Sequence, residues 1–241
     1  MREELLGGLK TRLVGGTDGN GSGDGPVVIL LHGYGAPGDD LVSLAEVPNV
    51  PQGIRFIFPE GPLSLGFGYG DSRAWWIIDM AKLESERAAG RSRDLSVEVP
   101  RGLSLAREAI ETFLTHLPRR MPIDYKQVVI GGFSQGAMLS CDNALHTDRR
   151  YAGIVQLSGN LLAQSVWGPL MPKRKGLPVF QSHGTQDDIL PYMGAERLRD
   201  ALSKAGLVVD WHSFRGGHEI PPPVLRQLGA FLTRVLRSAR N

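Results

Sequence analysis

Val128-Val129-Ile130-Gly131-Gly132-Phe133-Ser134-Gln135-Gly136-Ala137-Met138 is the stretch on which the fold of this 241-residue chain turns. An apolar, β-branched run feeds directly into Gly132-x-Ser134-x-Gly136, and helix-forming residues follow. That is the order of a nucleophile elbow: strand, sharp turn, serine, helix. In such a turn the serine adopts a strained backbone so that its Oγ stands clear of the sheet. Glycines two before and two after leave room where strand and helix pack closest. A pattern with three fixed positions arises by chance in many chains, and an inert serine in a Gly-rich turn is the plain alternative. The rest of the chain has to choose.

The length suits one α/β domain over 1–241, and a 41% apolar, 22% charged composition is ordinary for a globular core. A net charge of +2 gives no case for a nucleic-acid partner, although the pI is about 8.8. Arg226, Arg234, Arg237 and Arg240 fall on an expected last helix, whose dipole they complement. Cys141 is the one cysteine, so an intrachain disulfide and a Cys-based zinc cluster are excluded. The first residues are acidic where a signal peptide is basic, and no run approaches the roughly 18 apolar residues of a membrane span. The cytoplasm is the expected compartment.

Outward from the elbow, Val27–Leu31 is a continuous apolar run, the mark of a strand buried on both faces of a parallel sheet. Leu9–Val14 reads as a short strand before it, and 15–26, rich in Gly, Asp and Asn, as a flexible loop. Arg55–Glu60, Ile154–Gly159, Val179–Gly184 and Val208–Phe214 are further strands. Leu103 to Leu117 repeats at helical spacing and is expected to stop at Pro118; Ala195–Ala205 and Val224–Val235 are also helical. Strands alternating with helices give a mostly parallel central sheet flanked by helices. Residues 61–100 break the pattern. They read as a rim over the site, with a charged excursion from Lys82 to Val97. Trp75 and Trp76 point to opposite faces of an extended segment, so that one lines a pocket while its neighbour is buried.

Gly33, Gly35 and Gly38 spell G-x-G-x-x-G after a strand, with Glu60 downstream, which taken alone suggests a nucleotide-dependent oxidoreductase. Asp39 and Asp40 argue against it, because carboxylates repel a pyrophosphate, and Pro37 removes one N–H from the cradle. The alternative is an oxyanion loop, whose backbone N–H groups also need close approach to a substrate oxygen.

A serine hydroxyl needs a base, and the base needs a third group to fix its tautomer. Of six histidines, His116 and His146 lie at expected helix ends, His32 and His183 at strand ends before a glycine, and His212 inside a strand. His218 occupies a tight loop, with Gly216-Gly217 before it and Pro221-Pro222-Pro223 after. Asp187 and Asp188 follow the strand ending at His183. Ligand groups of open α/β sheets gather at the carboxyl ends of strands, and the order Ser…Asp…His is that of α/β-hydrolases.

With those residues in place, the chain resembles the phospholipase/carboxylesterase family, which includes acyl-protein thioesterases and small bacterial carboxylesterases. The likeness rests on Leu31-His32-Gly33-Tyr34-Gly35, Gly132–Ala137, His183-Gly184-Thr185-Gln186-Asp187-Asp188-Ile189-Leu190-Pro191 and Gly217-His218, and spans about Val27 to Leu232. It implies an α/β-hydrolase fold with Ser134 as nucleophile, Asp187 as orienting acid and His218 as base. The backbone N–H groups of Tyr34 and Gln135 become the oxyanion hole, and Arg73-Ala74-Trp75-Trp76 lies near the acyl pocket. The activity implied is a serine carboxylesterase acting on small acyl esters without metal or cofactor. Acyl-protein thioesterase or lysophospholipase activity is the alternative, and a non-catalytic binding protein on the same fold is a different class. The glycine-rich loop and the 82–97 stretch depart from the family pattern, so substrate range is the least transferable expectation.

Overall fold

The computed structural model describes residues 1–66, 71–81, 85, 88–89 and 94–238. Its main sheet contains β1 (Arg2–Leu6), β2 (Leu9–Gly16), β3 (Asn20–Ser22), β4 (Val27–Leu31), β5 (Arg55–Pro59), β8 (Val128–Phe133), β9 (Gly153–Leu157), β10 (Pro178–Gly184) and β11 (Val208–Phe214). Between β5 and β8, β6 (Leu63–Ser64) and β7 (Arg73–Ala74) form a separate two-residue ribbon. The main order is β1-β2-β5-β4-β8-β9-β10-β11, with β3 beside β2. Within this main sheet, among the described strands, only the β1–β2 and β2–β5 pairings are antiparallel. This is the α/β-hydrolase sheet, parallel from β5 to β11.

Alternation along the strands divides the core. Val27, Ile29 and Leu31 of β4 face one layer, which also takes Phe113 and Leu117 of α1 (Leu103–Arg120) and Leu139 of α2 (Gln135–His146). After the one-turn α3 (Gln164–Trp167), α4 (Tyr192–Lys204) adds Leu198 and Leu202 to that layer. Val28 and Leu30 face the other layer, covered by Val224, Leu228, Phe231 and Leu232 of α5 (Pro222–Ser238). Each such side chain contributes roughly 1.5–3 kcal/mol by leaving water. The sheet therefore separates two apolar compartments, and its carboxyl edge is where they meet.

Three expectations change. Arg2–Leu6 is a strand, joined to β2 by the left-handed pair Gly7-Gly8 (φ 55° and 86°). Its charged edge position hides it from apolar pattern reading. The 15–26 stretch contains β3 and is organised by Asp18, whose carboxylate accepts from Ser22 Oγ (2.7 Å), Asn20 N and Ser22 N. Ser22's hydroxyl first, then those amides, lower the Asp18 pKa to about 2. Finally, α1 runs two residues past Pro118 to Arg120. Proline there has no N–H to give the Leu114 carbonyl, and the Tyr125 hydroxyl donates to that carbonyl instead. Among the described residues no helix is long and apolar enough to cross a membrane. Of the charged 82–97 stretch, 82–84, 86–87 and 90–93 lie outside the described residues.

Candidate active site

Ser134 takes φ 53° and ψ −115°, a conformation costly for a residue with a Cβ. The cost is met by position: its N–H donates to Leu157 O at 2.8 Å and its carbonyl accepts from Met138 N at 3.1 Å. The flanking glycines are required by contact. A Cβ on Gly132 or Gly136 would stand 2.3 or 2.0 Å from Leu31 O, so any side chain would push α2 off β4. The sharp turn that exposes the serine exists because strand and helix backbones touch here.

The loop after β10 is tied to the loop after β11 by Thr185 N to Phe214 O (2.8 Å) and Gln186 N to Gly216 O (2.9 Å). Those bonds bring Asp187 to His218, whose Nδ1 meets Asp187 Oδ2 at 2.7 Å. Asp187 Oδ1 accepts from Ile189 N (2.9 Å) and Leu190 N (2.8 Å), which fixes the carboxylate plane. His183, at the end of β10 before a glycine, adds a further contact. Its Nε2 is 2.8 Å from Leu190 O and 3.2 Å from Asp187 Oδ2, so it carries a proton directed at both. Burial alone would raise the Asp187 pKa. Hydrogen bonds from His183 and His218, His218's charge and the Leu190 amide outweigh it and hold the carboxyl well below the usual range. A histidine four residues before an aspartate across a strand end was the available signal. Asp188 lines the adjoining cavity instead.

Gln135 opens α2, where a first-turn N–H has no partner within the helix. Its side chain is fully buried, with Oε1 accepting from Trp75 N (2.9 Å) and Nε2 donating to Trp76 O (2.8 Å). The elbow helix thus clamps the tryptophan segment, a role no motif announced. On the facing loop, Gly35 N donates to Arg73 O and Arg73 N to Ala36 O, which ties the loop that carries Tyr34 to the β7 strand. His32 supports the loop from below: Nδ1 donates to Gly33 O at 2.8 Å and Nε2 accepts from Gly61 N at 2.9 Å. Burial pushes its pKa down, against the raising effect of the Gly33 carbonyl, and the ring is neutral.

Both tryptophans are buried in one apolar cluster, but their surroundings differ. Trp75 packs its ring on His32 (5.3 Å between centroids) and donates Nε1–H to His32 O at 3.0 Å. Trp76 lines a cavity of about 1250 Å³ together with Ser134, Gln135, Tyr34, Asp187 and His218. The apolar part of its wall includes Ile78, Leu95, Val99, Met138 and Leu162. The remaining histidines stay apart from it: His116 and His146 bond carbonyls of their own helices, and His212 faces Asp210 at 2.8 Å.

The glycine fingerprint has no room for a pyrophosphate. A Cβ on Gly38 would lie 2.4 Å from both Arg12 Nη1 and Glu60 Oε2. Glu60 is occupied by Arg12 and Arg73, each at 3.0 Å, and cannot serve a ribose. Among the described residues no group of three or more His, Cys, Asp or Glu side chains suits a metal ion.

Comparison with known proteins bears on the fold and the family. Acyl-protein thioesterase 1 of Yarrowia lipolytica is 30% identical over 198 residues, covering 78% of this chain and 82% of that protein. Its counterpart in Emericella nidulans is 28% identical over 222 residues, covering 87% and 90%. Among solved structures, esterase PE8 superposes with a TM-score of 0.79 at 26% identity, covering 95% of this chain and 99% of that one. A carboxylesterase from Mesorhizobium loti, at 18% identity, shares the fold with a TM-score of 0.73 over 96% and 99% of the two chains. Residues 21–236 match the sequence profile of the phospholipase/carboxylesterase family, and the chain belongs to that family of serine hydrolases.

Proposed function

We propose that this protein is a carboxylesterase in which Ser134, His218 and Asp187 act as nucleophile, base and orienting acid. The observation that carries the reading is the Asp187–His218 bond at 2.7 Å, facing the same cavity as a serine in a strained elbow. His218 Nε2 takes the Ser134 proton as Oγ attacks the ester carbonyl carbon, and Asp187 steadies the imidazolium. The oxyanion receives the N–H groups of Tyr34 and Gln135. His218 then gives its proton to the leaving alcohol, and water repeats the sequence to release the acid from Ser134. No metal or cofactor enters these steps.

The substrate is a small-molecule acyl ester, with the rim over 61–100 limiting what enters. Hydrolysis of longer acyl thioesters or lysophospholipids is the second reading. It is favoured by the cavity of about 1250 Å³ with Trp76, Leu95, Val99 and Leu162 on its wall, and by the thioesterase names of the relatives. The lone buried Cys141 suits the reducing cytoplasm, the location expected with this reading. A fluorophosphonate probe tests the proposal. Covalent labelling of Ser134, with loss of p-nitrophenyl butyrate turnover, is expected; ligand binding without labelling points to a receptor.

A further inference from the structure

The hydrolase reading leaves one part of the carboxyl edge unused. Beside the main cavity lies a smaller crevice of about 270 Å³, bounded by Asp40, Leu41, Leu44, Phe133, Ile220 and Leu225. Asp40 and Phe133 line both spaces, so the two adjoin. They belong to opposite sides of the sheet. The main cavity is walled by Trp76, Leu95, Met138 and Leu162, which pack with the α1–α2 layer. The crevice is walled by Leu41, Leu44, Phe133 and Ile220, which pack with the α5 layer. Ser134 stands where the layers meet, so the two halves of an ester bound to it part toward different compartments.

Chemistry assigns the halves. The acyl C–O bond breaks while the acyl carbon stays on Ser134 Oγ, and the departing oxygen takes its proton from His218 Nε2. The leaving group must therefore lie on the histidine side. His218 has the Phe133 ring beside it, 4.7 Å between centroids, and Ile220 follows two residues on in the same loop. Both side chains form the crevice.

Asp40 is the one charged residue lining that crevice. Among the described residues no hydrogen bond or ion pair reaches its carboxylate. His32, whose positive charge would attract it, is held neutral by its two backbone bonds. Partial burial, with the neighbouring Asp39 charge, raises the Asp40 pKa. Asp40 is exposed to solvent, and its charge is free to meet a cationic group lying in the crevice.

Resting on the serine-hydrolase reading, we infer that the crevice between Phe133, Ile220 and Asp40 is the leaving-group subsite, and that Asp40 selects alcohols bearing an ammonium group. A crevice of 270 Å³ has space for a choline-sized alcohol, since one water occupies about 30 Å³. Asp40 is open to solvent on one side, so the selection is modest.

The test compares butyrylcholine with 3,3-dimethylbutyl butyrate, its uncharged isostere, each rate divided by that of alkaline hydrolysis. The corrected kcat/KM ratio is expected to be about three- to fivefold higher in the wild type than in Asp40→Asn, and to approach the variant's value in 0.5 M salt. Leu225→Trp, at a half-buried wall position, should slow the choline ester several-fold more than methyl butyrate. Equal ratios in wild type and Asp40→Asn overturn the role of Asp40, and equal slowing of both esters in Leu225→Trp overturns the subsite. Should the wild type hydrolyse neither ester nor p-nitrophenyl butyrate, and Ser134 resist fluorophosphonate, the hydrolase reading itself fails.

Discussion

The elbow and the rim meet at the same cavity but are built by opposite means. Around Ser134 nearly every polar atom is committed: the elbow glycines touch Leu31 O, Gln135 is clamped to the tryptophan segment, and Asp187 holds four donors. The rim is held at separated points. Asp94 caps a short turn over Leu95–Val97 by accepting from Ser96 and binds Arg197 at 2.6 Å, while Ala163 N donates to Leu95 O and Glu98 O. Between these ties it presents exposed apolar side chains, among them Ile77, Met80, Val97 and Val99. Backbone contact enforces the chemistry of the elbow. The rim supplies shape, and shape at a surface tolerates substitution.

That contrast predicts the largest losses on the elbow side. Ser134→Ala and Asp187→Asn should each reduce p-nitrophenyl butyrate turnover by about 10⁴- to 10⁶-fold without loss of native circular dichroism. Asp188→Asn should change it by roughly tenfold at most, since it is Asp187 that meets His218 Nδ1. A large loss in Asp188→Asn beside a near-normal Asp187→Asn would reverse the assignment.

His183 tests how far the committed network extends. His183→Leu removes a donor from Asp187 Oδ2 and the anchor of the Leu190 carbonyl. A kcat loss of about 10- to 100-fold with little change in KM is expected, because a misplaced carboxylate misplaces the base. In an Asp187→Asn background the same change should cost almost nothing further, which double-mutant kinetics would reveal. Additive losses would make His183 a matter of folding alone.

The two tryptophans bring both regions into one experiment. Trp76→Ala enlarges the cavity and should shift preference toward longer p-nitrophenyl esters by several-fold. Trp75→Ala removes a buried ring and its bond to His32 O, and should cost about 3–5 kcal/mol of stability. Unchanged chain-length profiles in both variants would assign Trp76 to the core with its neighbour.

A pH experiment separates the orienting carboxylate from the rest of the site. The folded Asp187 carboxyl titrates below its unfolded value of about 3.9. Its contribution to stability is then complete above that value and is lost as pH falls toward the folded pKa. The difference in urea stability between wild type and Asp187→Asn should persist above about pH 5 and shrink below about pH 4. A difference that instead vanishes above pH 5 contradicts the hydrogen-bonded carboxylate.

What could be read in the sequence follows the same division. Buried strands such as Val27–Leu31 and the elbow carry their signal locally, because apolar runs and flanking glycines answer to contacts a few residues away. Gln135 reaches the tryptophan segment across 59 and 60 residues and Arg12 reaches Glu60 across 48, distances over which no local pattern carries, while His183 and Asp187 stand four apart, a spacing that many exposed pairs share. The strand Arg2–Leu6 was missed because an edge strand exposes one face and carries charge. The rim lacks periodicity altogether, so which of its side chains line the cavity had to come from coordinates.

The smallest effect is expected where the rigid side is entered. Tyr125 opens the single turn Tyr125–Gln127 that leads into β8, the strand of the elbow, and its hydroxyl serves the Leu114 carbonyl that Pro118 cannot. Tyr125→Phe keeps the ring against Tyr151, 6.1 Å between centroids, and removes only the donor. A partly buried carbonyl left without a partner costs about 1–2 kcal/mol. Turnover per folded molecule should be unchanged, since the substituted ring touches neither Ser134 nor the cavity wall. Pro118→Ala in the Tyr125→Phe background should recover part of the loss, because alanine restores the missing N–H to the same carbonyl. Urea unfolding of the two variants decides the matter. A Tyr125→Phe protein as stable as the wild type, or one that Pro118→Ala does nothing to repair, would show that the helix end needs no substitute donor.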